Sequence, residues 1–151
     1  MSTTPPPDDP SLFVFFNEVG IIHQLAMSAF TRVLPDGLLP AHFSMLNHMV
    51  RLGDGWSPAR LASAFQVTKG AVTNTLTRLE ARGLIEVRPD EEDGRKKRVF
   101  ITAAGRAARE KCIAALAPML VEMERELGQG VFEQSIPSLR AVRQFLDRAR
   151  D

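Results

Sequence analysis

The sequence of 151 residues predicts a mostly α-helical fold with one small β-hairpin, and three observations carry that expectation. Apolar residues recur at spacings of three and four through most of the chain, which is the period of helices with a buried face. One stretch, between Gly83 and Gly105, departs from that period with two short β-rich runs around a charged turn. From Ser57 to Gly83, two helical segments are joined by a very short connection, the layout of a helix-turn-helix.

The first helix is expected from about Leu12 to Leu34. Leu12, Phe16, Val19, Ile22, Ala26, Phe30 and Val33 make one apolar stripe, and Val14, Ile21 and Leu25 a second, so burial on two sides is predicted. Pro35, Asp36 and Gly37 end it. A second helix starts after Pro40 and stops by Gly53, with Phe43, Leu46, Met49 and Val50 inward. Ser57-Pro58 opens the third, because a serine hydroxyl caps free N–H groups and proline suits a first turn. Leu61, Ala62 and Phe65 form its inner face, and Gln66-Val67 connects it to a helix Lys69–Arg82 capped by Thr68. Ile85–Arg88 and Arg98–Ile101 are β-rich and pair across PDEEDGRKK, whose Pro89 and Asp93-Gly94 carry turn chemistry, giving a wing of two or three strands. From Thr102 a further helix reaches about Leu127, with Pro118 predicting a kink or break. Gly128 and Gly130 separate off a last helix, apolar at Phe132, Ile136, Leu139, Val142 and Leu146. Residues 1–11 read as a flexible, Pro-rich tail, and 12–151 as a single domain.

Composition narrows the functional classes. An apolar fraction of 44% and a charged fraction of 25% are those of a soluble globular protein. The longest uninterrupted run of large apolar residues, Leu12 to Phe16, is far short of a membrane span, so no membrane partner is expected. The opening MSTTPPPDDP has neither a basic region nor an apolar core, so nothing marks the chain for export. Cys112 has no second cysteine to pair with, which suits a reducing cytoplasm, and its apolar surroundings in sequence predict a buried, inert thiol. The net charge of +1 is unevenly spread: the balance is −3 over residues 1–56, +5 over 57–111 and −1 over 112–151. Positive field therefore gathers at the helix-turn-helix and hairpin, where phosphate attraction would need it.

With Val72, Leu76 and Leu79 turned inward, Gly70, Asn74, Thr77 and Ala81 point out, flanked by Thr73 and Arg78. Such a face suits the approach of a recognition helix to base edges. Asn74 can pair with adenine, Arg78 with guanine or phosphate, and threonine methyls can touch thymine. Gly70 would let a backbone come close. Any amphipathic surface helix has a polar outer face, so this helix alone leaves both readings open. The hairpin adds four consecutive cations, Arg95, Lys96, Lys97 and Arg98, after the Asp93-Gly94 turn. Asp90, Glu91, Glu92 and Asp93 lie across that turn, so one reading is a self-neutralising surface hairpin. The other has Asp93 bracing the Arg95 guanidinium as it enters a narrow minor groove. The candidate DNA-contacting set is Ser57, Arg60, Lys69, Gly70, Thr73, Asn74, Thr77, Arg78, Asp93, Arg95, Lys96, Lys97 and Arg98.

Three segments together, LLPAHFSMLNHM, LASAFQVTKGAVTNTLTRLEARGLI and DEEDGRKKRVFITAAG, resemble the MarR family of winged helix-turn-helix regulators. The wing is similar to the family's Asp-x-Arg signature, here Asp93 and Arg95, followed by a strand and Leu-Thr-x-x-Gly, here Ile101 to Gly105. Departures are an isoleucine for leucine at Ile101 and a cation run richer than the pattern requires. The resemblance implies a winged helix-turn-helix at about 38–105 and dimerisation helices at about 12–34 and 106–150. It further implies a homodimer on a pseudo-palindromic double-stranded DNA operator, acting as a repressor that a small-molecule effector releases. The competing class is a winged-helix protein–protein interaction module that never touches DNA.

Signs of catalysis are few. The chain has no Gly-rich phosphate loop, no HExxH, no GxSxG and no tyrosine, and Glu122, Glu124 and Glu126 fall on a solvated face. His42 and His48 are six apart, on opposite sides of a helix, and with His23 they lack metal-ligand spacing. They read as surface or satisfied core histidines. No cofactor, metal or enzyme activity is expected. The methionines are read mainly as packing, a few of them as lining for an adaptable ligand pocket.

Overall fold

Every predicted element is present, in the predicted order, in the computed structural model, which describes residues 8–150. The helices are α1 (Ser11–Val33), α2 (Pro40–Leu52), α3 (Pro58–Phe65) and α4 (Lys69–Ala81), then α5 (Ala103–Leu127) and α6 (Gln129–Ala149). Between α4 and α5 lie β1 (Ile85–Pro89) and β2 (Lys97–Ile101). Residues 1–7 of the expected tail fall outside the described residues, and Ser11 already begins α1.

The caps form as the sequence dictates. Ser57 Oγ accepts the Arg60 N–H at 3.2 Å and Thr68 Oγ1 accepts that of Ala71 at 3.1 Å. Gln66 closes α3 in the left-handed region, φ +51, which shapes the tight connection into α4. The two strands are antiparallel, from Ile85 opposite Ile101 to Pro89 opposite Lys97. A single bridge from Trp56 to Val99 stands where a third strand was allowed for. Leu46 and Met49 of α2, Leu61 of α3, Val72 and Leu79 of α4, Ile85 of β1 and Val99 of β2 are fully buried. Burying a side chain of this size contributes about 1.5–3 kcal/mol, so these few residues dominate the seating of α4.

Two ties fix the ends of this unit. Thr102 donates its hydroxyl to the Gly83 carbonyl at 2.7 Å, and the same oxygen accepts the Gly105 N–H at 3.0 Å. On the other side, the turn between α1 and α2 carries Asp36 at φ +58. Its carbonyl accepts from the Arg82 guanidinium at 2.7 Å and its carboxylate from Lys111 Nζ at 2.8 Å. The Lys111 ammonium holds the Asp36 carboxyl below the usual carboxylate range.

Three expectations are corrected. First, of the kink or break expected at Pro118 the break does not occur, since α5 continues from Ala103 to Leu127. Proline removes one hydrogen bond, and because Ala114 is exposed its freed carbonyl can turn to water. Second, α6 begins at Gln129, so Gly128 (φ +83) is the N-cap and Gly130 belongs to the first turn. A second proline, Pro137, also lies inside α6. Third, no residue of α1 is buried within the chain. Leu12 (68%), Ile22 (61%) and Leu25 (66%) are exposed, so the two-sided burial expected of α1 is not supplied by its own chain. By length and composition alone α1 reaches what a membrane span requires, which the short run Leu12–Phe16 did not suggest.

The chain divides into two compact units after Ala115, within α5. The second unit, from Leu116, contains the end of α5 and all of α6, with Val131, Ile136, Leu139, Phe145 and Leu146 exposed.

Candidate nucleic-acid interface

Helix α4 presents two chemically distinct faces. Val72, Leu76 and Leu79 are buried, while Lys69, Gly70, Thr73, Asn74, Thr77 and Arg78 are all exposed. Thr73 and Thr77 donate their hydroxyls back to the carbonyls of Lys69 (2.9 Å) and Thr73 (2.8 Å). Their hydroxyl protons are thus committed to the helix. A Cβ at Gly70 would meet only Thr68 Oγ1, at 4.0 Å, so no packing within the chain demands glycine there. The helix is tied to the hairpin by Glu80, whose carboxylate accepts the Val87 N–H at 2.8 Å.

In the hairpin, Asp90 is the organising residue. One of its oxygens accepts the N–H groups of Glu92 (2.9 Å) and Asp93 (3.2 Å). The other accepts from Arg98 Nε at 2.5 Å, while Arg98 also donates to the Gly55 carbonyl at 2.9 Å. The Arg98 guanidinium, followed by the two N–H groups, holds the Asp90 carboxyl below its ordinary range. Arg88 covers the ring of Phe100, 4.5 Å from its centroid.

This arrangement corrects the expected brace. Asp93 accepts the main-chain N–H of Arg95 at 3.1 Å, and its carboxylate does not hold the Arg95 guanidinium. An aspartate two residues before an N–H in a turn folds onto that N–H, which leaves the following side chain free. Arg98, grouped by sequence with the phosphate contacts, has its guanidinium spent on Asp90 and Gly55. Among the described residues no carboxylate pairs with the side chains of Arg95, Lys96 or Lys97, and all three are exposed.

The fold brings Ser57 and Arg60, at the start of α3, against the wing. Together with Asp90, Glu92, Asp93, Lys96, Lys97 and Arg98 they line a cleft of about 260 Å³. Arg60 lies over the Trp56 ring at 4.6 Å, and Trp56 in turn meets His48 edge-on at 4.5 Å. Asp90 and Trp56 were missed as site-building residues. The signal for Asp90 was available, since an aspartate followed two and three residues later by turn N–H groups is an Asx-turn pattern. Trp56 acts through the long-range bridge to Val99, and no local pattern marks it.

Behind α4 is a second cleft, of about 280 Å³. Met27 of α1, Pro40, Ala41, Ser44 and Met45 of α2, Phe65, Val67, and Ala71, Val72 and Thr75 of α4 line it. No charged side chain lines it, and Met27 and Met45 are among the helical methionines. Of the histidines, His42 is buried and its Nδ1 accepts the Leu39 N–H at 3.0 Å. His48 is half-buried, and its Nε2 has no hydrogen-bond partner. Cys112 is fully buried, and burial pushes its thiol up. No cluster of three His, Cys, Asp or Glu placed for a metal ion occurs among the described residues.

Comparison with known proteins follows this geometry. The sequence profile of the MarR family matches residues 36–96, from the turn before α2 to the wing. No curated protein matches the chain by sequence. Among solved structures, the transcriptional regulator BldR from Sulfolobus solfataricus is 26% identical, covering 90% of this chain and 94% of its own, with a TM-score of 0.75. A crystal structure of MarR, 23% identical, covers 98% of both chains with a TM-score of 0.81. A cysteine-to-serine mutant of MarR from E. coli, crystallised with operator DNA, is 23% identical and covers 87% of this chain and 94% of its own, with a TM-score of 0.72.

Proposed function

We propose that the chain is a member of the MarR family, whose profile matches residues 36–96, and a sequence-specific regulator that binds double-stranded operator DNA. The observation that carries the reading is electrostatic. Asp90 pairs with Arg98 and Asp93 folds onto the Arg95 main chain, so among the described residues Arg95, Lys96 and Lys97 stand exposed with no carboxylate paired to their side chains and can reach phosphate, although Glu91 and Glu92 keep negative charge in the same turn. The operator complex of the E. coli relative supports the same partner. In this reading Asn74 and Arg78 address base edges, Gly70, Thr73 and Thr77 allow close approach, and Arg95 enters the minor groove beside the recognition helix. Ser57, Arg60, Lys69, Lys96 and Lys97 meet backbone phosphates. Arg98 and Asp93 hold the wing in shape rather than touch DNA.

The same reading makes the winged segment, about 38–105, the DNA-binding part, with helices at about 12–34 and 106–150 joining two copies. The exposed apolar faces of α1 and α6 favour a second copy as their cover. The chain acts as a repressor on a pseudo-palindromic site, and a small apolar effector entering the cleft behind α4 releases it. Its activity is binding, without a chemical step.

Arg95→Ala is expected to weaken operator binding by about 1–3 kcal/mol at fixed salt, with an unchanged melting temperature. Lys96→Ala and Lys97→Ala should weaken all duplexes alike and flatten the salt slope. Asn74→Ala and Arg78→Ala should relax preference at particular positions when sites are selected from randomised DNA. A winged protein–protein module would show none of these effects.

A further inference from the structure

We propose that His42 is a positioning residue for the recognition helix, which it supports only as a neutral imidazole, so that mild acid loosens the grip on the operator. The proposal rests on the reading of α4 as the helix that faces DNA. His42 is the third residue of α2 and only 5% exposed. Its Nδ1 accepts the Leu39 N–H, a bond that an imidazolium, with a proton on each nitrogen, does not make. It therefore caps α2 from the position where a glutamine or glutamate reaches back in a capping box.

The charges around it make neutrality matter. Arg78 on α4 and Arg82 just past its end act on the ring across the contact between α2 and α4. Arg82 is tethered to the Asp36 carbonyl and does not swing freely away. At the same corner the Asp36 carboxylate is engaged by Lys111 of α5, and the buried Cys112 thiol is held protonated. A proton on His42 would break the cap and set a cation beside two arginines. Burial first, then Arg78 and Arg82, keep its pKa below the usual value of 6.5. The sign follows: the folded state binds this proton less readily than the unfolded chain. The contribution of His42 is complete above about pH 6.5 and is lost as pH falls toward the lowered value.

Ordinary protonation works the other way. Charging an exposed imidazole adds positive charge and strengthens attraction to phosphate. His48 is, like His42, held below its ordinary range by burial, so the His48→Gln variant is needed to assign an acid-induced loss of affinity to His42. The test uses the full chain, with His42→Gln and His48→Gln, and a duplex enriched from randomised DNA. Anisotropy titrations at pH 7.5 and 5.5 and constant ionic strength are paired with thermal melts free of DNA.

Wild type is expected to lose affinity at pH 5.5, by less than tenfold because a group held below 6.5 carries less than a tenfold excess of its protonated form there, and to melt earlier. His42→Gln keeps a neutral acceptor for Leu39, so it should bind normally at pH 7.5 and resist both losses. His48→Gln should behave as wild type. In wild type the imidazole of His42, followed by NMR, should titrate over the same pH range as the affinity falls, a readout that holds even if the glutamine variant folds poorly. Wild type that binds more tightly at pH 5.5, a His42→Gln variant that loses affinity in step with it, or a titration without an affinity change would overturn the proposal. A failure of the DNA reading itself looks different: no duplex is enriched by any variant at pH 7.5, although the melts still show acid loss that depends on His42.

Discussion

Gly105→Ala is expected to destabilise the protein by about 3 kcal/mol, at the upper end of overpacking costs, although alanine is the better helix former. Gly105 lies in the first turn of α5, where a Cβ would come 2.0 Å from the Leu84 carbonyl oxygen and 2.8 Å from Ile101 Cγ1. The oxygen is backbone, and it already accepts the Thr102 N–H at 3.2 Å, so it has little freedom to retreat. Helix propensity favours the alanine by only about 0.8–1 kcal/mol, which the clash exceeds. Because Leu84 and Ile101 belong to the ends of the wing, the damage reaches the hairpin as well as α5. Thermal melting checks this, with an expected drop of roughly 6–12 °C for a chain of this size. Gly70→Ala is the control: the same substitution in open space on α4 should leave the melting temperature unchanged or raised.

Removal of residues 128–151 is expected to convert a dimer into a monomer and to collapse tight operator binding toward non-specific affinity. α6 has no buried residue of its own chain, yet it repeats Val131, Ile136, Leu139, Phe145 and Leu146 as exposed large apolar side chains. Surfaces of that kind call for a partner. Two half-sites bound by one dimer gain effective concentration, worth roughly 10²–10⁴ in avidity, which a single winged unit lacks. The half-site centres should lie about one helical turn apart, ~34–36 Å, because a two-fold dimer meets the same groove twice on one side of DNA. Light scattering on the full and shortened chains at micromolar concentration checks the assembly. A full-length monomer that still binds one operator tightly would contradict it.

What was legible in the sequence was what local rules govern. Ser57 and Thr68 announce their helices because a hydroxyl at an N-cap has one task, and Val72, Leu76 and Leu79 mark the buried face of α4 by spacing alone. Pro118 and Pro137 misled or went unremarked because an exposed helix absorbs the loss of one hydrogen bond when its neighbours keep theirs. The wing was legible as a hairpin but not in its bonding. Spacing places Asp93 near Arg95, yet it does not decide between guanidinium and main-chain N–H, and it does not reveal that Asp90 takes Arg98. Asp36 reaches Arg82 and Lys111 over 46 and 75 residues, a juxtaposition that only the fold creates. The two apolar stripes of α1 led to an expectation of burial on two sides, yet no residue of α1 is buried within the chain, and a stripe does not say what covers it.

The central claim is that α4 and the wing read duplex DNA, and the most direct test is a salt titration on a duplex enriched by this protein from randomised sequence. The account predicts enrichment of a two-fold motif and an affinity whose logarithm falls linearly with the logarithm of salt concentration. The slope should become shallower in Lys96→Ala and Lys97→Ala. Absence of enrichment, or an affinity indifferent to both salt and the loss of those lysines, would contradict it.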